Sequence, residues 1–129
     1  YGEVLRDAAS RARDAVLLVA VDGHGEVLGT VTFALPGTPY AEVSRPGEAE
    51  FRMLAVAPTA RRRGIARLLV LACVERARAE GAAALVLSSS TRMTAAHRLY
   101  ESLGFVRLPE RDWRPIPSVE LIAFTRPVG

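Results

Sequence analysis

Apolar residues along this chain fall into runs with two different spacings. Ala15 to Val21 is a continuous apolar run that predicts a buried strand, and Val27 to Leu35 predicts a second. Asp22-Gly23-His24-Gly25-Glu26 between them is a turn, so 15–35 reads as a hairpin whose paired glycines serve backbone dihedrals. Glu50 to Val56 predicts a third strand, ended by Pro58. Leu68 to Val74 fits strand or buried helix by periodicity alone. The unbroken helix formers of Glu75–Glu80 and the helical spacing of Ile65, Leu68, Leu69, Ala72 and Cys73 decide it. They predict one helix over 64–80, capped by Gly81. Ala84 to Leu87 predicts a buried strand that leads into Ser88-Ser89-Ser90. Met93 to Leu103 predicts a second helix, with Ala96, Leu99, Tyr100 and Leu103 on one face and Gly104 at its end. Phe105–Leu108 and Val119–Thr125 are the last strands, bridged by an irregular 109–118. Residues 3–14 read as a short amphipathic helix. Residues 36–49, with three prolines and two glycines, form a loop of a length that is often functional.

A strand hairpin followed by a strand–helix–strand unit argues a mixed α/β sheet with helices on its faces. The 129 residues fit one domain, 1–129, that buries roughly two-thirds of its unfolded surface. Half the residues are apolar and 24% charged, which excludes a disordered chain. No apolar run approaches the ~20 residues of a spanning helix, so no membrane partner is expected. The chain opens on Tyr1-Gly2-Glu3 without a basic-then-apolar leader, and no targeting signal is read there. The single cysteine allows no internal disulfide and points to a reducing compartment, the cytoplasm. With two histidines far apart, no metal site is expected.

Charge adds one constraint. Seventeen basic residues against 14 acidic give +3, and every basic residue is arginine, so no lysine is present for Schiff-base chemistry. Neither a broad basic face nor interleaved aromatics is evident, and no nucleic-acid partner is expected.

The stretch that carries chemistry is Leu54-Ala55-Val56-Ala57-Pro58-Thr59-Ala60-Arg61-Arg62-Arg63-Gly64-Ile65-Ala66. A strand ends, an arginine-rich turn follows, and a helix starts at a glycine. First-turn N–H groups lack intrahelical partners and carry the positive end of the helix dipole. Small residues at Gly64 and Ala66 admit a phosphate to the backbone, and arginines supply the counter-charge. The Gly-Lys-Ser/Thr ending of a P-loop is absent. The competing reading is a solvated charge run before an ordinary helix.

Arg61-Arg62-Arg63-Gly64-Ile65-Ala66 resembles the Arg/Gln-x-x-Gly-x-Gly/Ala acetyl-CoA motif of the GNAT superfamily of N-acetyltransferases. Glu50-Phe51-Arg52-Met53-Leu54-Ala55-Val56 resembles the family's strand entering that motif. Ala96-x-x-x-Tyr100-Glu101-x-Leu103-Gly104-Phe105 resembles its late helix. The resemblance implies a mixed, mostly antiparallel central sheet flanked by helices; the family's first strand and helix have no room before the helix read at 3–14, and the expectation is an N-terminally shortened domain. It implies acetyl-CoA as acetyl donor, with the pyrophosphate at Arg61, Arg62, Arg63, Gly64, Ile65 and Ala66. The pantetheine arm would lie along Leu54, Ala55 and Val56, with the Leu54 N–H facing the thioester oxygen. Ala96 belongs to the cofactor set, Tyr100 matches the acid for the departing thiolate, and Glu50 a glutamate that helps deprotonate the amine.

The chemistry asks for the same parts. A protonated amine needs a proton acceptor, the tetrahedral intermediate a donor on its oxygen, and the thiolate an acid. Each assignment has a plainer rival: Tyr100 as core, and Glu50 as an edge charge paired with Arg52 or Arg45. Cys73 reads as core packing, His24 as an inert turn residue, and His97 as a surface residue that is the substitute base if Glu50 fails. Tyr40 and Glu42 are candidates to line an acceptor site. Many family members carry Asn where this chain has Met93, so one polar anchor on the donor is missing. With the first strand absent, strand 15–21 would lie at a sheet edge, and the expectation is a homodimer or the C-terminal half of something longer. The acceptor expected is a small-molecule, peptide or protein amine. The alternative is a non-catalytic acyl-CoA-binding or regulatory module.

Overall fold

The computed structural model describes residues 4–11, 15–36, 38, 41–61 and 64–129. The strands are β1 (Val4–Arg11), β2 (Ala15–Val21), β3 (Val27–Ala34), β4 (Glu48–Val56), β5 (Ala84–Ser90), β6 (Val106–Arg107), β7 (Trp113–Ile116) and β8 (Val119–Pro127). The helices are α1 (Ile65–Ala79), between β4 and β5, and α2 (Thr94–Ser102), between β5 and β6. The described strands form one sheet in the order β1-β2-β3-β4-β5-β8-β6, with β7 beside β8. Neighbours run antiparallel except β4 and β5, which are parallel and joined through α1.

The β2–β3 hairpin closes as its sequence predicts. The Asp22 carboxylate accepts the N–H groups of His24 (2.8 Å) and Glu26 (3.0 Å), an Asx turn that fixes the reversal. α1 packs its apolar stripe of Ile65, Leu69, Val70, Cys73, Val74 and Ala77 on β3 and β4. Full burial of each large aliphatic side chain contributes about 1.5–3 kcal/mol. The helix can settle this close because of Gly29. A Cβ there would lie 2.9 Å from the Ala55 carbonyl oxygen and 3.0 Å from both Ile65 and Leu69 side chains. α2 contributes Tyr100 to an aromatic cluster whose ring centroids lie 5.9 Å from Phe51, 6.0 Å from Phe105 and 5.7 Å from Phe124.

Three expectations change. The residues read as an N-terminal helix form strand β1 over Val4–Arg11, antiparallel to β2; Glu3 and 12–14 of that reading lie outside the described residues. Helix propensity is a weak prior that tertiary context overrides, and the open ladder of β2 offers backbone partners that propensity does not count. A first strand is therefore present, β2 is not an edge, and the stated ground for pairing through β2 falls away. The stretch 109–118, read as irregular, contains β7 and its tight connection to β8. Strand β5 also runs on through all three serines to Ser90, where its whole length pairs with β8.

Candidate active site

The site forms where β4 and β5 part. Their parallel pairing covers only Glu48–Ala84, Ala49–Leu85 and Glu50–Val86. Beyond it, Ala55 and Val56 have ladder partners on β3 alone among the described residues, and Leu54 has none. The same strand carries a bulge: between Thr30–Ala55 and Thr32–Arg52, β4 has one residue more than β3. Met53 sits in it at φ 57°, a left-handed conformation unusual for a side chain of this kind. Beside the bulge lies a cleft of about 180 Å³ lined by Arg52, Met53, Leu54, Ser89, Met93 and Tyr100, among others.

A second cleft, of about 440 Å³, lies at the start of α1 and is lined by Val56, Ala60, Arg61, Gly64, Ile65, Ala66, Arg67, Ala95 and Leu99. Gly64 has φ 77°, which L side chains adopt only under strain, and it turns the chain into α1. No side chain caps this helix start, and its first turn holds no acidic residue. Its outward N–H groups are therefore not competed for by a carboxylate, and exposed Arg61 and Arg67 add positive charge beside them. Arg62 and Arg63 lie outside the described residues.

Tyr100 is 5% exposed and lines the cleft between β4 and β5. Burial, with a smaller contribution from nearby Cys73, pushes its hydroxyl up to about 12. Burial likewise pushes the Cys73 thiol up, so that it stays an unionised core residue. His97 is half-buried, with Nε2 3.2 Å from the Ser89 hydroxyl and its ring 5.2 Å from Phe124.

Glu50 points the other way from Phe51, as successive strand residues do, and is wholly buried. Its Oε1 accepts the N–H groups of Glu42 (2.9 Å), Val43 (3.0 Å) and Ser44 (2.9 Å), and its Oε2 also accepts that of Glu42 (3.1 Å). Glu42 pairs with Arg52 at 3.2 Å. Burial raises the Glu42 carboxyl, Arg52 opposes that shift, and the charge of Glu50 adds to it. On the far side of the same loop, Arg111 donates to the Val43 carbonyl (3.1 Å) and to both carboxylate oxygens of Glu48, and Glu48 accepts the Arg45 N–H (2.8 Å). Burial pushes Glu48 up, but the Arg111 hydrogen bond, the Arg45 N–H and the two guanidinium charges together hold it below its ordinary value.

The structure thus gathers Leu54 and Tyr100 at one cleft and Val56, Arg61, Gly64, Ile65 and Ala66 at the other. Ala55 lies on β4 between Leu54 and Val56, and Ala96 packs towards the core while its neighbour Ala95 lines the larger cleft. Tyr40 lies outside the described residues. Sequence reasoning did not single out Arg52, Met53, Ser89 or Arg111. The serine run was a visible signal for Ser89; nothing local marks a bulge at Met53, or a clamp formed by residues 63 positions apart. Among the described residues, no three His, Cys, Asp or Glu side chains gather to hold a metal, and no helix is long and apolar enough to cross a membrane.

A sheet opened at its central parallel pair, beside a helix start left clear for an anion, defines an acyl-CoA N-acyltransferase fold. The model of the acetyltransferase (GNAT) family matches residues 2–105, and the chain belongs to that family. It is 33% identical over 104 residues to an uncharacterised N-acetyltransferase of Schizosaccharomyces pombe, covering 81% of this chain and 60% of that protein. The fold is similar to that of an IAA acetyltransferase from Bacillus cereus (TM-score 0.77, 18% identity, 98% of this chain and 99% of the other). A Bacillus anthracis structure solved in complex with acetyl coenzyme A is similar over 90% of this chain and 64% of its own (TM-score 0.72, 15% identity). The chain therefore spans about three-fifths of the yeast relative's length.

Proposed function

We propose that residues 1–129 form one N-acetyltransferase domain that moves an acetyl group from acetyl-CoA to a primary amine by direct attack. The observation that carries this reading is the parting of β4 from β5 within reach of both Tyr100 and the uncapped start of α1. In this reading Arg61 and the N–H groups of Ile65 and Ala66, flanked by Arg62 and Arg63 in sequence, hold the pyrophosphate at the Gly64 turn. Leu54, Ala55 and Val56 accept the pantetheine arm as an added strand, and Ala96 supports the helix wall beside it.

The amine nitrogen then attacks the thioester carbon, and the Leu54 N–H donates to the oxygen as it gains charge. The carbon–sulfur bond breaks, the amine's proton passes to a carboxylate, and CoA leaves as a thiolate. Glu50 is the carboxylate the sequence offers for that proton. Tyr100, kept protonated by its raised pKa, is a competent donor to the thiolate. The acceptor is a small-molecule, peptide or protein amine, and the compartment is the cytoplasm. The outer edges of the described sheet are β1 on one side and β6 and β7 on the other, so a homodimer formed by strand pairing would use one of these, not β2.

One observation favours a second reading. Met93, 53% exposed at the cleft, offers no side-chain hydrogen bond to the donor, as a non-catalytic acyl-CoA-binding module would tolerate. A melting titration with acetyl-CoA, CoA and dephospho-CoA, repeated on Gly64→Glu, separates the two in stages. A rise in Tm lost in the variant supports the cradle, and CoA thiol release with a panel of primary amines supports transfer. Binding without thiol release for any amine would leave the binding module as the reading; no Tm rise with any acyl-CoA would sink both.

A further inference from the structure

We propose that Glu50 acts in the reaction through the loop it holds, and that Glu42, presented by that loop beside Arg52, takes the proton from the acceptor amine. This rests on the acetyltransferase reading and names its proton acceptor. Glu50 is wholly buried and already accepts three backbone N–H groups. All three N–H groups meet at Oε1, and Oε2 shares only that of Glu42, so the negative charge that a proton would cancel is what holds the loop. A carboxylate so placed is built as an anchor for residues 42–44.

The loop is held from its other side too, since Arg111 grips the Val43 carbonyl while paired with Glu48. With the N–H groups of 42–44 and the carbonyl of 43 both taken, the loop's backbone is fixed on two faces. What this leaves towards solvent is the Glu42 side chain, 24% exposed and within 3.2 Å of Arg52, itself a residue of the cleft that holds Leu54 and Tyr100. The ion pair thus ties the Glu42 carboxylate to a residue that lines the cleft. Among the described residues, the charged groups acting on Glu42 are Arg52 and Glu50, both on β4, and the Arg111–Glu48 pair meets its loop one residue away. Burial and the neighbouring Glu50 raise the Glu42 carboxyl, which makes it a stronger proton acceptor than a free glutamate once ionised. Balance is simple: the ammonium or the attacking amine loses one proton, Glu42 gains it, and solvent removes it after product leaves.

The test uses CoA release from acetyl-CoA with whichever amine of the panel the native protein accepts, together with backbone amide exchange over residues 41–46. Glu42→Gln should lower kcat about 10²–10³-fold near neutral pH with little change in the acceptor's KM. The deficit should shrink as pH approaches the amine's own pKa, and Glu42→Asp should recover part of it. Glu50→Gln and Arg111→Met should each release the amides of 42–44 to exchange and raise the acceptor's KM. Should Glu50→Gln not fold, Glu50→Asp, whose shorter side chain cannot reach all three amides, carries that arm.

Full kcat and an unchanged pH profile in Glu42→Gln would overturn the assignment, whether Glu50→Gln or His97→Gln then proved to be the inactive variant. Freely exchanging 42–44 amides in the native protein would overturn the anchor role of Glu50, with or without activity. A native protein that binds acetyl-CoA yet releases no CoA with any amine would instead bring down the acetyltransferase reading on which Glu42 depends.

Discussion

Two residues at this site hold a left-handed backbone, and they predict opposite responses to substitution. Gly64, at φ 77°, turns the chain into α1; replacing it with alanine puts a Cβ where it costs about 1–2 kcal/mol and crowds the clear helix start. Chemical denaturation of Gly64→Ala should show that loss, and an acetyl-CoA titration a weaker affinity. Met53, at φ 57° and 54% exposed, already bears such strain. Met53→Gly should therefore raise stability by about 0.5–1 kcal/mol, since few contacts are lost at an exposed side chain. A fall in stability there would show that contacts of the Met53 side chain outweigh the strain of its backbone. Tyr100→Phe removes one buried hydroxyl from an aromatic cluster that remains packed. Thiol release should drop about 10²-fold while Tm hardly moves. If Tyr100 were only core, activity and Tm would both stay.

Between elements, the Glu48–Arg111 pair joins the start of β4 to the turn after β6, with both side chains mostly buried. Arg111→Met leaves the Glu48 carboxylate without its main partner and should cost about 2–3 kcal/mol. The pH dependence has a definite sign. The Glu48 carboxyl titrates below its unfolded value, so its stabilisation is complete above that value and is lost as pH falls through the folded one. Glu42 is shifted the other way, so its contribution is present at low pH and lost as pH rises through its folded value. A Tm series taken downwards through about pH 4 should show an acid limb that is shallower in Arg111→Met. At this scale the sequence was most legible where an element's own pattern sufficed. The 15–35 hairpin and the helix ended by Gly81 depend on local turn chemistry and a single apolar face. The first strand was illegible because Val4–Arg11 is held by the ladder of β2, and no residue within it reports that partner.

Over the whole molecule, β4 is the strand on which fold and site converge. Phe51 packs on Tyr100 and Phe105 on one side, Glu50 anchors a loop on the other, and Leu54–Val56 borders the opening. Phe51→Ala should cost about 3–5 kcal/mol and loosen Tyr100 with it, so activity should fall further than Tyr100→Phe alone explains. The sequence by itself determined the strand–helix–strand unit, the arginine-rich turn into a glycine, and the tyrosine on the second helix. Those features rest on spacing within a few residues, and spacing survives in a linear text. Only the tertiary structure decided that β4 bulges at Met53 and parts from β5. It alone decided that Glu50 accepts backbone donors eight to six residues earlier, and that Arg111 closes on Glu48 across 63 positions. A hydrogen bond between distant residues is set by how sheets and loops close in space, and the same residue types would read no differently had they closed another way.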